Sequence, residues 1–313
     1  MKSVYSSAPW IVRHARAAMD HPWGTGLARL ARRIPAVKSW WARAALREPS
    51  DFERLAALSL PPNEAFFERR AAASRIEGMF SPFSMAVIDS LLTLQAEASI
   101  TGNMLEFGVY KGRSAALLGR HLRTGEQMTL VDIAEYLDPA AIASFRDQVE
   151  FVLTPTEKFP KAWPHWSTAR HRFRFIHIDA SHGFRATFQE LKMADRLLAQ
   201  DGLIALDDFT NLHYSQNIAA IFKYLYTTGT SLTPLVVTDE KAYLCRKSMR
   251  AFYARFVLER LLAEMESRGI SPVCLARTEL HPDYRAFYLR CHSGEPGEKF
   301  YGLDIYRDFF QVP

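Results

Sequence analysis

Two short apolar runs, Phe175-Ile176-His177-Ile178 and Leu203-Ile204-Ala205-Leu206, each stop at acid, the first at Asp179 and the second at Asp207-Asp208. The chain between them, residues 183–202, is about long enough for one crossover helix. The runs are therefore expected as parallel neighbours whose C-terminal ends share an edge. In an open parallel sheet that edge is where ligands bind. Three carboxylates gathered there repel one another unless a cation, a proton or water relieves them, which raises the question of a metal site.

The surrounding pattern extends this unit. Asn63 is an N-cap candidate for a helix over 64–76, and a loop carrying Pro82 precedes a helix over 83–94. Strands over 104–107, 128–131, 149–153, 174–178 and 203–206 then alternate with helices over 114–122, 139–148 and 184–199, with Gly202 expected at a helix C′ position. A helix over 218–226 and a strand pair over 235–238 and 242–245 follow. This predicts an α/β fold with a doubly wound, mostly parallel sheet. Residues 250–268 have helical periodicity, 273–277 and 285–291 are strand-like, and 300–310 form an aromatic tail. The expected division is a helical extension over 1–74, including a short helix at 52–58, a ligand-binding domain over 75–247, and an α+β cap or dimerisation element over 248–313.

Charge separates these parts. Residues 1–47 hold nine Lys and Arg against Asp20 alone, +8 in a chain whose total is +5. Four of the six tryptophans (Trp10, Trp23, Trp40 and Trp41) lie in the same arm. A basic, aromatic segment of this kind packs on its own domain or a second subunit, or rests on an anionic membrane surface; an organellar transit peptide shares the composition. No run approaches the ~20 apolar residues of a membrane span, and the start lacks a secretory h-region, so a cytoplasmic protein is expected. Cys245, Cys274 and Cys291 are too few and too far apart for a disulfide framework or zinc knuckle, and are expected as ordinary thiols.

The turn after the first strand of the alternation, Glu106-Phe107-Gly108-Val109-Tyr110-Lys111-Gly112-Arg113-Ser114, carries two glycines that let backbone approach a ligand. Its spacing is not Gly-x-Gly-x-x-Gly, and Glu106 stands where a pyrophosphate would have to come. A carboxylate there suits a cationic ligand without phosphate, which S-adenosylmethionine is. Asp132, ending the second strand, is placed for the two ribose hydroxyls, and Thr156 and Glu157 for the adenine. A lone Gly-x-x-x-Gly is weak and strand-end acids often cap helices; the order of acids and glycines along the chain is the stronger signal.

In that order the chain resembles class I S-adenosylmethionine-dependent methyltransferases over roughly 75–246. It is most similar to the macrocin O-methyltransferase and cephalosporin hydroxylase-like groups, through residues 105–114, Ile178-Asp179-Ala180-Ser181-His182 and residues 201–208. Gly78-Met79-Phe80-Ser81 resembles a segment that helps close the site there. The resemblance implies a Rossmann-like methyltransferase fold and methylation of a hydroxyl on a sugar or natural product, with the cofactor held by Glu106, Gly108, Tyr110, Gly112, Ser114, Asp132, Thr156, Glu157 and Asp179. It also implies a magnesium on Asp179, Asp207 and Asp208. Sugar-methylating relatives usually carry a second acid two residues after the first, where this chain has Ser181 and then His182, as in the Asp-x-x-His pattern of other members.

Methyl transfer needs an oxygen nucleophile held about 3 Å from the methyl carbon. A hydroxyl on magnesium would be acidified, and His182 or His213 would take its proton, with Asp179 beside them. His177 shares a strand face with Phe175 and Asp179 and is expected as a core histidine. The alternative is a methyltransferase-like interaction module without chemistry. A nicotinamide dehydrogenase is disfavoured by Glu106 and the missing third glycine, and nucleic acid is not expected, since no base-flipping motif is present. A homo-oligomer acting on a small or glycosylated acceptor is the expected form.

Overall fold

The structure, a computed structural model, describes residues 58–278 and 286–291. The basic arm, the helix expected at 52–58 but for its last residue, and the aromatic tail lie outside them. Helix α1 (Glu64–Ser74) starts where the Asn63 side chain accepts the Phe66 N–H at 2.9 Å, and α2 (Pro82–Glu97) where the Ser81 hydroxyl accepts the Ser84 N–H at 3.1 Å, with Pro82 in the first turn. The alternation follows as β1 (Asn103–Phe107), α3 (Arg113–Leu118), β2 (Met128–Asp132), α4 (Pro139–Ile142), β3 (Val149–Leu153), α5 (Phe159–Ala162), β4 (Phe173–Ile178), α6 (Phe184–Leu197) and β5 (Leu198–Leu206). After α7 (Gln216–Thr227), β6 (Leu232–Val237) and β7 (Ala242–Arg246) form the expected hairpin; α8 (Arg250–Glu259), α9 (Leu261–Ser267), β8 (Val273–Arg277) and β9 (Phe287–Cys291) close the described chain.

The nine strands make one sheet in the order β3-β2-β1-β4-β5-β7-β6-β9-β8, parallel from β3 to β5, with β7 antiparallel to both its neighbours. This is the doubly wound, mostly parallel, Rossmann-like sheet that the sequence predicts. Order reverses between β1 and β4, so their C-terminal ends flank the ligand crevice. The two-residue strand period divides the core: Met104, Phe175, Leu203 and Ala205 join the cluster under α1, α2, α8 and α9, while Leu105, Ile176, Ile204 and Leu206 join the one under α6 and α7. The C-terminal stretch is thus continuous with the sheet, through β9 on β6. At the junction of these helices Asp89 of α2 is fully buried and bonded by Arg69 of α1, His121 and Arg268. Burial would raise its pKa, but hydrogen bonds and charge from these partners hold it well below the carboxylate range. Among the described residues no helix is long and apolar enough to cross a membrane.

Two local expectations change. Gly202 does not end a helix: the chain passes from α6 into β5 at Leu198, and Gly202 lies within the strand. The β4–β5 register shifts there, and a Cβ would meet the Phe173 carbonyl at 2.9 Å and the Arg174 carbonyl at 3.0 Å, so close backbone approach requires the glycine. The helix expected over 139–148 shrinks to α4 and a 3-10 turn over 146–148, because Phe145 leaves the helical conformation (φ −143°) and packs its ring on Gly119.

Candidate active site

At Gly108 (φ +80°) an added Cβ would lie 2.1 Å from the Asp179 carbonyl oxygen. Only glycine lets the loop after β1 pass so close to the end of β4. Asp132 holds that loop: Oδ2 accepts the N–H groups of Val109 and Tyr110 at 2.7 and 2.9 Å, and Oδ1 that of Ala134 at 3.1 Å. Gly112 enters α3 at φ +86°, with the Leu137 side chain filling the space of its missing Cβ. Glu77 closes over the loop, accepting from the Tyr110 hydroxyl at 2.7 Å and the Lys111 ammonium at 2.5 Å. A cavity of about 430 Å³ results, lined by Gly108, Tyr110, Ser114, Asp132, Thr156 and Glu157 toward β1–β3, and by Met79, Phe80, Asp179 and His182 toward β4. Its size suits a small molecule. A larger cavity, about 640 Å³, lies beside α6 among Trp166, Arg196 and Arg246, and of the sequence-predicted groups it holds only Glu157.

Glu106 does not line the first cavity. In the β1–β4 register it stands opposite His177, and both are wholly buried beneath the crevice, Oε1 lying 2.7 Å from the His177 Nδ1. Expected as a cofactor contact and a core histidine, the two form one buried pair that supports the floor of the site. The Thr156 hydroxyl donates at 2.6 Å to Glu190 of α6, an acid whose pKa burial pushes up to about 7.

At the neighbouring strand ends, the Asp179 N–H bonds the Phe107 carbonyl at 2.7 Å and the Asp207 N–H the Ile178 carbonyl at 2.9 Å, so the acids do converge. The repulsion is already relieved. Lys241, fully buried just before β7, ion-pairs with Asp207 Oδ2. Burial would lower its pKa, yet the charges of Asp207 and Asp179 hold the ammonium above the ordinary range. Burial likewise works against ionised Asp207, but Lys241 outweighs it and lowers the pKa. Asp179 is pushed well above the carboxylate range, by burial first and then by Asp207 beside it, which favours its protonated form.

A magnesium ion does not fit this donor set. One of the three carboxylates is taken by an ammonium, and Asp179, His182 and Asp208, whose ligand atoms lie within 4.8 Å of one another, are left to supply two carboxylates and an imidazole. A hard cation that wants six oxygens is poorly served.

His182 faces the cavity with Nδ1 3.3 Å from Asp208 Oδ2, its ring stacked on Tyr214 at 4.1 Å. Asp208 takes a left-handed backbone (φ +52°), and Asn211 Nδ2 donates to its Oδ1 at 2.9 Å. That bond and a conformation tolerable for aspartate aim the carboxylate at the imidazole. His213 sits on the next turn, 212–214, and does not line the cavity. Cys245 is buried with its thiol pushed up to about 12 by burial, an inert thiol.

Three groups escape the sequence reading: Lys241, Glu190, and Glu240, which accepts hydrogen bonds from the Ser81 and Ser84 hydroxyls. The available signal for Lys241 was a lysine directly abutting a buried strand.

Residues 105–209 match the family model described as a methyltransferase domain. No curated protein matches the chain. Among solved structures, cofactor-bound Rv0187 from MTB is 16% identical, over 66% of this chain and 96% of that one, with a TM-score of 0.44. An O-methyltransferase from Bacillus cereus in complex with SAH is 17% identical, over 68% and 97%, at 0.42. TomG from Streptomyces achromogenes, in complex with SAM, is 14% identical, over 60% and 92%, at 0.43.

Proposed function

We propose that the protein transfers a methyl group from S-adenosylmethionine to a hydroxyl of a sugar or natural-product acceptor, a reading supported by the match of residues 105–209 to a methyltransferase-domain model. The observation that carries this reading is the His182–Asp208 pair opening into the cavity that the glycine loop forms. S-adenosylmethionine supplies, when bound, a methyl group on a positive sulfur that an oxygen displaces in line. The residues suited to hold it are the Gly108 loop, Asp132, which has lone-pair capacity left on Oδ1, and Thr156 and Glu157 at the adenine end.

The chain's own work is to orient and deprotonate the acceptor. With Nδ1 3.3 Å from Asp208 Oδ2, His182 has a carboxylate beside it to stabilise an imidazolium, and its Nε2 is the nitrogen left to serve as the base. Asp179 lies between base and cofactor loop. The stacked rings of His182 and Tyr214, with exposed Met79 and Leu212 nearby, offer flat apolar surface to an aromatic or glycosylated acceptor. No step runs through magnesium.

The test is His182→Ala assayed against a panel of phenolic and sugar hydroxyls. Transfer should fall by about 10²–10⁴ while the variant binds S-adenosylhomocysteine as the wild type does. Full turnover in the variant would refute His182 as the base, and a wild type that binds no cofactor product would favour the interaction-module alternative.

A further inference from the structure

We infer that Lys241 is the site's built-in cation, doing for Asp207 and the His182–Asp208 pair the charge balancing and positioning that a divalent metal would do, so that the protein works without one. This rests on the methyl-transfer reading of the same site. Lysine is rarely buried unless paired, and here the chain goes to some length to bury one. The turn that presents it is locked: Thr238 N–H bonds the Lys241 carbonyl at 2.8 Å, and Lys241 N–H the Thr238 hydroxyl at 2.9 Å. The Nζ lies 5.4 Å from the centre of the Phe80 ring, so one face of the ammonium is covered by the segment that closes the cavity. Glu240, next in the same turn, holds that segment through the Ser81 and Ser84 hydroxyls.

From the ammonium, a series of polar contacts leads to the base. Lys241 grips Asp207 Oδ2, Asp207 Oδ1 accepts the Asp208 N–H at 2.9 Å, and Asp208 Oδ2 faces His182 Nδ1 at 3.3 Å. Asp208 sits in a left-handed conformation, which persists only where its surroundings enforce it; the Asp207 bond is one such restraint and Lys241 fixes Asp207. Lys241 does not line the cavity. It is a positioning residue.

The experiment uses the full chain with Mn²⁺ as the metal probe. Electron paramagnetic resonance reads bound Mn²⁺, calorimetry reads S-adenosylhomocysteine, and turnover is measured with and without EDTA. The wild type should bind cofactor product, bind no Mn²⁺ at millimolar concentration, and turn over equally with EDTA. Lys241→Met uncovers three carboxylates and should acquire Mn²⁺ binding, while metal-free turnover drops about 10- to 100-fold, as for other outer-shell partners. Lys241→Arg should keep most of the turnover. The double variant K241M/D207N, in which the buried pair becomes neutral, should fold and again bind no Mn²⁺. A wild type that binds Mn²⁺ and loses both metal and turnover on Asp207→Asn overturns the inference, as does wild-type turnover in Lys241→Met. If Lys241→Met does not fold, the wild-type Mn²⁺ spectrum decides. Absence of cofactor-product binding refutes the methyl-transfer reading itself, whereas Mn²⁺ binding alongside normal product binding refutes only the role of Lys241.

Discussion

Glu190→Gln should remove a pH-dependent weakness from the fold. Glu190 is fully buried on α6, its Oε1 accepting the Thr156 hydroxyl at 2.6 Å and its Oε2 without a partner. Burial, helped by the charge of Glu157, pushes its pKa up to about 7 from the ordinary 4.5. An acid whose folded pKa lies above its unfolded value keeps its proton longer in the folded chain. Between those two pH values the folded state binds more protons, and stability falls as pH rises. The gap of about 2.5 pH units, at about 1.4 kcal/mol each, sets the loss at about 3 kcal/mol once pH exceeds 7. Glutamine keeps an oxygen for Thr156 and cannot ionise. Urea unfolding of both proteins at pH 5 and pH 8 isolates this group, because all other titrations cancel in the difference. The variant should match the wild type within about 1 kcal/mol at pH 5 and exceed it by about 3 kcal/mol at pH 8. A difference that does not change with pH would refute the reasoning.

Other outcomes follow from the same geometry. Gly108→Ala puts a Cβ against the Asp179 carbonyl at a backbone φ of +80° and should abolish S-adenosylhomocysteine binding in calorimetry while far-ultraviolet circular dichroism stays unchanged. Asp89→Ala leaves Arg69 and Arg268 facing an empty buried site and should cost about 3–5 kcal/mol in urea unfolding. Asn211→Ala removes the side-chain donor to Asp208 Oδ1; turnover should fall with cofactor-product affinity unchanged.

The parallel sheet was legible because its strands announce themselves: β4 and β5 are apolar runs that end in acid, and the glycines after β1 mark a turn that approaches a ligand. Asp132, Asp179 and His182 could be placed at the site from strand order alone. Pairing across the sheet could not. That Glu106 and His177 are partners depends on the β1–β4 register, which a shift of one residue would undo. Lys241 lies 34 positions beyond Asp207, in a turn whose neighbouring Asp239-Glu240 suggests solvent, and only the reversal of β7 against β5 brings it beneath the strand ends. The acids were visible in the sequence, and the ammonium paired with them was not. Gly202 misled because glycine serves helix ends and close strand approaches alike, and only the β4–β5 irregularity tells which.

The most direct test of a cofactor-binding methyltransferase site is calorimetric titration of S-adenosylhomocysteine into the wild-type protein and Asp132→Ala. Asp132 fixes the Val109 and Tyr110 N–H groups and faces the cavity, so the wild type should bind one equivalent and the variant none. Equal binding by both, or by neither, would contradict the account.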